Sequence, residues 1–305
     1  MRSWTAVLSI LIFASAGCGS ADSAPSGGPP PPSSGTIDAL WRAPGEDVGL
    51  IQGTGDYAPG RIRVSFLVVR GDGRVVDRPG ARVWLARGRN AKPFLSTTAA
   101  LEPIGVPGGA EAAEDIQALY VTEVRVAKPG KYWLLAEPVG GKPIQALGNL
   151  VVKAKAAAPA VGARAIASAT PTIASTGGDL DVLSTDSSPS KPLYRHSVAD
   201  SLAARTPFVV TFATPKFCSS RTCGPTVDVV DYVRRKTDTA VRFLHVEIFE
   251  GNDPGKGVNR WVKEWKLPSE PWVFVVGRDG RIKAKFEGSV SVAELTRALR
   301  PITGP

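Results

Sequence analysis

Cysteine and histidine are scarce in this 305-residue chain, three and two respectively, which excludes a zinc-finger array or a disulfide-dense mini-protein. Long hydrophobic runs are also missing. The apolar stretch at residues 6–13 is too short to span a bilayer, which takes about 20 residues. Basic residues outnumber acidic ones, 37 to 28, and the net charge of +9 favours an anionic surface or lipid headgroup. The excess is scattered along the chain with no basic stripe, so nucleic acid is set aside as a partner. At 43% hydrophobic and 21% charged residues the chain is not disordered throughout, and its length fits two domains. Glycine and proline are abundant, 32 and 26, as long linkers or turn-rich β-structure require.

One positive charge at Arg2, the apolar run and small residues up to Gly17 read as a signal segment, residues 1–18. Small residues followed at once by Cys18 resemble a bacterial lipobox, although Ser15 stands where a leucine is usual. That resemblance implies that Cys18 carries a lipid; the alternative is an ordinary secretory signal. Residues 19–36 form a tether. In residues 19–35, Pro, Ser and Gly fill 14 of 17 positions, a composition that cannot bury a core and would reach roughly 50 Å if extended. An anchored domain benefits from such a spacer. The expected setting is extracytoplasmic, lipid-anchored to the cell membrane, where disulfides persist.

Residues 37–153 show short β-branched or alternating runs at 61–69, 81–85, 120–126, 132–136 and 150–152, separated by Gly and Pro. This pattern predicts an all-β sandwich. The segment Pro129-Gly130-Lys131-Tyr132 resembles the corner opening a late strand of immunoglobulin-like domains, where a tyrosine hydroxyl bonds back to nearby backbone. No catalytic constellation stands out there, so a structural or docking role is expected. Residues 154–190, rich in Ala, Ser, Thr, Pro and Gly, read as the linker.

From residue 191 the pattern changes. Helices are predicted at 197–205, 225–235, 258–266 and 291–299, and strands at 208–212, 241–249, 272–276 and 281–286. The order α-β-α-β-α-β-β-α predicts a mixed sheet covered by helices. The strand at 208–212, the cysteine turn FCSSRTCGP at 217–225, Pro271 before a buried strand, the hairpin at Gly280 and the final helix together resemble the thioredoxin superfamily. The expectation for residues 191–305 is therefore an α/β thioredoxin-like fold following an immunoglobulin-like sandwich. The resemblance further implies that Pro271 is a cis-proline facing the cysteines and that Glu270 and Pro271 contact substrate.

Four residues separate Cys218 from Cys223, where the commonest superfamily pattern has two. Five residues along a regular helix means a rise of about 7.5 Å and a rotation of about 140°, too divergent for a disulfide. The Gly224-Pro225 pair starts a helix near Pro225, leaving residues 218–223 as a loop that a bond can close. A six-residue loop gives a bond of roughly 2 kcal/mol, a weak staple. A helix N-terminus lowers a thiol's pKa, and Lys216 and Arg221 add positive charge as pKa-tuning groups. A redox-active pair is expected, with Cys218 attacking and Cys223 resolving. Glu270 works the other way, since its charge would raise a neighbouring thiol's pKa.

The expected activity is thiol–disulfide exchange with protein thiols or disulfides and an unidentified redox partner; nothing in the pattern asks for a cofactor or a bound metal. Three alternatives stay open: a non-catalytic docking scaffold, a thiol peroxidase resembling the Q-type peroxiredoxins, and a copper chaperone of the Sco type. The peroxidase pattern wants a threonine where Pro215 stands, one residue from Thr214. Sco-type cysteines lie three residues apart with a later histidine, whereas His245 lies mid-strand and reads as structural. His196 reads as a surface residue. Trp261, Trp265 and Trp272 read as core.

Overall fold

The computed structural model describes residues 35–108, 116–237 and 240–303. The signal segment, Cys18 and nearly all of the tether lie outside the described residues. Among those residues no helix is long and apolar enough to cross a membrane.

A short helix, α1 (Ile37–Trp41), is capped by Thr36, whose hydroxyl accepts from the Ala39 N–H at 3.2 Å. Seven strands follow: β1 (Val48–Gln52), β2 (Gly60–Arg70), β3 (Gly80–Ala86), β4 (Leu95–Pro103), β5 (Ala118–Val126), β6 (Gly130–Pro138) and β7 (Ala146–Val152). Their inward faces follow the period of two. In β5, Thr122, Val124 and Val126 are buried, while Glu123 and Arg125 between them are exposed. The core they enclose includes Phe66 stacked on Tyr120, with ring centroids 5.5 Å apart.

All seven strands belong to one antiparallel sheet, in the order β1-β2-β5-β4-β3-β6-β7. Its two edges curl toward each other. Gln52 Nε2 donates to the Asn149 carbonyl at 2.6 Å, and the Leu50 side chain lies 2.7 Å from where a Cβ on Gly148 would sit. The result is a nearly closed, barrel-like sheet, which corrects the expected immunoglobulin-like sandwich of two sheets. The physical reason lies in β1 and β4. Neither is among the five runs read from sequence, and their residues, VGLIQ and LSTTAALEP, alternate weakly. Without β4, the pair β2–β5 and the set β3–β6–β7 would be separate sheets; β4 joins them, and β1 turns the edge toward β7. The Tyr132 hydroxyl does donate to the Lys128 carbonyl, at 2.6 Å, so the local corner forms without the sandwich.

The C-terminal elements are α2 (Val198–Ala203), β8 (Phe208–Phe212), α3 (Cys223–Arg235), β9 (Arg242–Val246), α4 (Arg260–Trp265), β10 (Trp272–Val276), β11 (Ile282–Glu287) and α5 (Val292–Thr303). Ser197 caps α2 in a capping box with Asp200, and Ser291 and Glu294 exchange bonds of 3.1 and 3.2 Å at the start of α5. The sheet order is β11-β10-β8-β9; β8 and β9 are parallel and the other pairs antiparallel. Every residue of β8 and β10 is buried, as central strands covered on both faces must be.

The expectation of an α/β thioredoxin-like fold is overturned. The described chain is predominantly β, with a seven-stranded barrel-like sheet, a four-stranded sheet, and five α-helices of only 5 to 13 residues. One face of the smaller sheet is covered by α3 and α5, through Val227, Val230, Leu295 and Leu299. The other face is closed by the six-residue helices α2 and α4 and by irregular chain contributing Ala158, Ala165 and Ile166. That irregular chain comes from the segment read as a linker. It is fastened by bonds from Gly162 N–H to Ile282 and from Ala165 N–H to Gly280, 2.8 and 2.9 Å.

Trp265 anchors this second face. It is fully buried, 5.2 Å from Phe212 and 4.8 Å from Phe274 between ring centroids, and its indole N–H donates to Ser168 Oγ at 3.0 Å. Trp272, also buried, stacks on Phe274. We expect Trp265→Phe to cost about 1–2 kcal/mol, from the lost hydrogen bond and part of the ring volume. Urea denaturation measures it, and an unchanged midpoint would show that the indole is not an anchor.

The two sheets meet through buried polar groups. Arg63 of β2 forms a fork with Glu294 of α5, at 2.7 and 3.0 Å, and also donates to the carbonyls of Glu287 and Ser289. Glu287 accepts from the Gly55 and Asp56 N–H groups, both at 2.8 Å. Asp56 accepts from the Ala157 and Ala158 N–H groups at 2.7 and 2.9 Å.

Candidate functional site

The site lies where β8 ends and α3 begins. β8 leads through Ala213 and Thr214, both fully buried, into a tight turn over residues 218–221, closed by the Arg221 N–H bonding the Cys218 carbonyl at 3.2 Å. Arg221 has φ +57°, in the left-handed region that costs a non-glycine residue about 1 kcal/mol or more. α3 starts at Cys223, two residues earlier than the Gly-Pro pair predicts. Cys218 and Cys223 are disulfide-bonded with Cα atoms 5.9 Å apart, inside the range a disulfide spans. The turn supplies this approach, which five residues of continuous helix could not.

The two sulfurs have unlike surroundings. Cys223 is fully buried in the core beneath α3, whereas Cys218 is partly exposed. Thr222, at the helix N-cap, makes no side-chain cap. The Cys223 N–H is instead directed at Cys218 Sγ, 3.3 Å away. Ser220 Oγ lies 3.2 Å from the same sulfur and 2.8 Å from Thr222 Oγ1. These dipoles, with the positive end of α3, favour negative charge on Cys218.

Glu270 and Pro271 enter from the opposite side, ahead of β10, joined by a cis peptide bond. A Glu270 carboxylate oxygen and the two Sγ atoms all lie within 4.8 Å of one another. Burial, and then the neighbouring charge of Glu247, push the Glu270 carboxyl up to about 7. Lys216 and Arg221 are both exposed, and the Lys216 ammonium lies over the Phe217 ring at 5.4 Å. Among the described residues neither forms an ion pair with Glu270 or Glu247.

Sequence reading missed Glu247. It follows β9 and is 5% exposed; its Oε1 accepts from Thr185 N–H and Oγ1 at 2.6 and 2.7 Å, while Oε2 is buried with no partner. A charged residue in the otherwise apolar run Val246-Glu247-Ile248 was the available signal. Thr185, which holds it, comes from the segment read as a linker. Compared with known proteins, the chain matches no family model and no curated relative.

The other sequence candidates have structural roles. His245 is 3% exposed; its Nε2 donates to the Ala213 carbonyl at 3.0 Å, and Nδ1 accepts from the Tyr194 hydroxyl at 2.7 Å. Both ring nitrogens are committed, so His245 offers no free ligand. Thr214 is buried 3.5 Å from Thr185 Oγ1. His196 is half-buried rather than on the open surface. The barrel touches the site's edge: Val106, after β4, packs on the same core that holds Cys223 and that Cys218 also packs against, and a Cβ on Gly105 would lie 3.6 Å from Pro225 Cβ.

The raised Glu270 pKa has a sign that stability reveals. Its folded value, about 7, exceeds the unfolded 4.5, so the fold disfavours the ionised form. The resulting penalty is absent below about pH 4.5, grows as pH rises toward 7, and is then constant. The full shift corresponds to about 3 kcal/mol, and solvent at this half-buried position reduces that to about 1–2. Glu270→Gln in the oxidised protein should therefore be more stable than the parent at pH 8 by that amount, with no gain at pH 4. Equal gains at both values, measured by urea denaturation, would contradict the assignment.

Proposed function

We propose that the protein is a thiol–disulfide oxidoreductase working on the extracytoplasmic side of a membrane, held there by a lipid on Cys18, with Cys218 and Cys223 as its redox pair. The observation that carries this reading is the asymmetry of the disulfide. It closes only a six-residue loop, where a staple adds little, and it presents one accessible sulfur beside one wholly buried sulfur at the start of a helix.

The oxidised protein accepts electrons in two steps. A substrate thiolate attacks Cys218 Sγ, a mixed disulfide forms, and the breaking bond leaves its electron pair on Cys223. A second substrate thiolate then attacks the substrate sulfur of the mixed disulfide, releasing substrate disulfide and the Cys218 thiolate. In the reverse direction Cys218 attacks first and Cys223 resolves. Glu270, partly exposed beside the two sulfurs, supplies surface that a substrate chain meets, while Pro271 next to it is buried.

The reduction potential of the pair tests this. A value between about −270 and −120 mV fits a working catalyst, whereas one below about −300 mV fits a bond that stays closed. The second outcome would leave a docking scaffold as the function.

A further inference from the structure

We infer that reduction of the disulfide by two equivalents of thiol, which leave as their own disulfide, turns the cluster Cys218, Cys223 and Glu270 into a binding site for a thiophilic divalent cation of the Zn2+ class; the cation displaces the two thiol protons and is released when a disulfide re-oxidises the pair. The inference needs only that the pair can be reduced, and it does not depend on catalysis of exchange.

The geometry comes first. Three donor atoms, two sulfurs and a carboxylate oxygen, already lie within 4.8 Å of one another. Tetrahedral Zn2+ with bonds of about 2.3 Å to sulfur and 2.0–2.2 Å to oxygen needs donor separations of about 3.5–3.8 Å. Once the S–S bond is broken, side-chain rotation at a Cα separation of 5.9 Å can reach that spacing while α3 keeps its place. Cys218 and Glu270 are both partly exposed, so the fourth position opens to solvent.

Charge supplies the second argument. Reduction adds two ionisable thiols to a place that already holds two carboxylates. Glu247 is 5% exposed and its Oε2 has no hydrogen-bond partner. No lysine or arginine among the described residues pairs with either Glu270 or Glu247. Such a concentration of acidic groups, with Cys223 and Glu247 buried, is costly unless protons or a cation neutralise it. The positive end of α3 contributes only a partial charge.

The donor set selects the ion. Two thiolates and one carboxylate suit a borderline-soft divalent ion; Mg2+ and Ca2+ prefer all-oxygen shells. Thiolates also suit Cu(I), but the carboxylate as third donor is a harder ligand that suits Zn2+ better.

The test uses the full chain carrying Cys18→Ser, so that only two thiols report. The protein is reduced with a phosphine, freed of reductant without air, and titrated with Co2+ and then with Zn2+. We expect thiolate-to-cobalt charge-transfer absorption saturating at one equivalent, its loss on adding Zn2+, and no absorption from the oxidised protein. Glu270→Gln should weaken the metal at least about tenfold with two titratable thiols retained, and Glu270→Asp should recover part of the loss. No absorption from the reduced protein overturns the site, as does Glu270→Gln affinity equal to the parent's. The potential of the metal-free pair is measured alongside: a value below about −300 mV would remove the catalytic reading and leave this one standing.

Discussion

On the proposed exchange chemistry, Cys223→Ser should turn a turnover catalyst into a trap. With Cys218 still partly exposed at the turn, its thiolate attacks a disulfide substrate, and the mixed disulfide then persists because the buried partner that would resolve it is gone. The intramolecular second step draws on proximity; replacing it with attack by a thiol from solution should cost about a hundredfold or more in turnover. Cys218→Ser should lose exchange altogether and trap nothing, since the remaining sulfur is fully buried. Mass spectrometry of each variant after incubation with a disulfide-bonded protein separates the two. Equal trapping by both variants would mean that the sulfurs are equally accessible, against the asymmetry on which the proposed chemistry rests.

Arg63→Ala should destabilise the chain by about 3–5 kcal/mol, the expected cost of leaving one member of a buried pair alone. Its side chain is 11% exposed and that of Glu294 8%; removing it also frees the carbonyls of Glu287 and Ser289. Because Arg63 belongs to the barrel and Glu294 to α5, the loss should appear in both sheets at once, followed by tryptophan fluorescence and hydrogen exchange. Arg63→Met with Glu294→Leu should recover most of it, since two apolar groups leave no buried charge. A single-variant loss under about 1 kcal/mol would make the fork a surface contact in energetic terms.

Much of the C-terminal half was legible as separate elements. Ser197 and Ser291 announced helix starts because their hydroxyls meet the free N–H groups of a first turn. Residues 208–212 and 272–276 announced buried strands because they are β-branched and aromatic without interruption. The cysteine turn was legible for a geometric reason: five residues of helix cannot bring two sulfurs together. Assembly was not legible. Element order suggested that helices alone cover an α/β sheet, but α2 and α4 run for only six residues each and the linker-like chain fills the remaining face. Segment 154–190 looked like spacer since Ala, Ser and Thr carry no strong periodicity; its packing is set by the sheet it lies on.

The barrel shows the same division in sharper form. Alternation in β2, β3, β5, β6 and β7 stated which side chains turn inward. It could not state that β4 bridges two groups of strands, because that depends on neighbours far apart in the sequence. The candidate site divides likewise. Cys218, Cys223, Glu270 and Pro271 were nameable from the chain, yet Glu247 was not, because its importance comes from burial beside residues more than twenty positions away.

Local chemistry, then, was written in the sequence: the turn that lets two sulfurs bond, the caps, the inward faces of strands. Which strands share a sheet, what covers its faces, and which second acid acts on Glu270 were decided only by tertiary structure. Propensities and caps act over a few residues, whereas strand pairing and the burial of Glu247 and Arg63 depend on contacts that exist only once the chain has closed on itself.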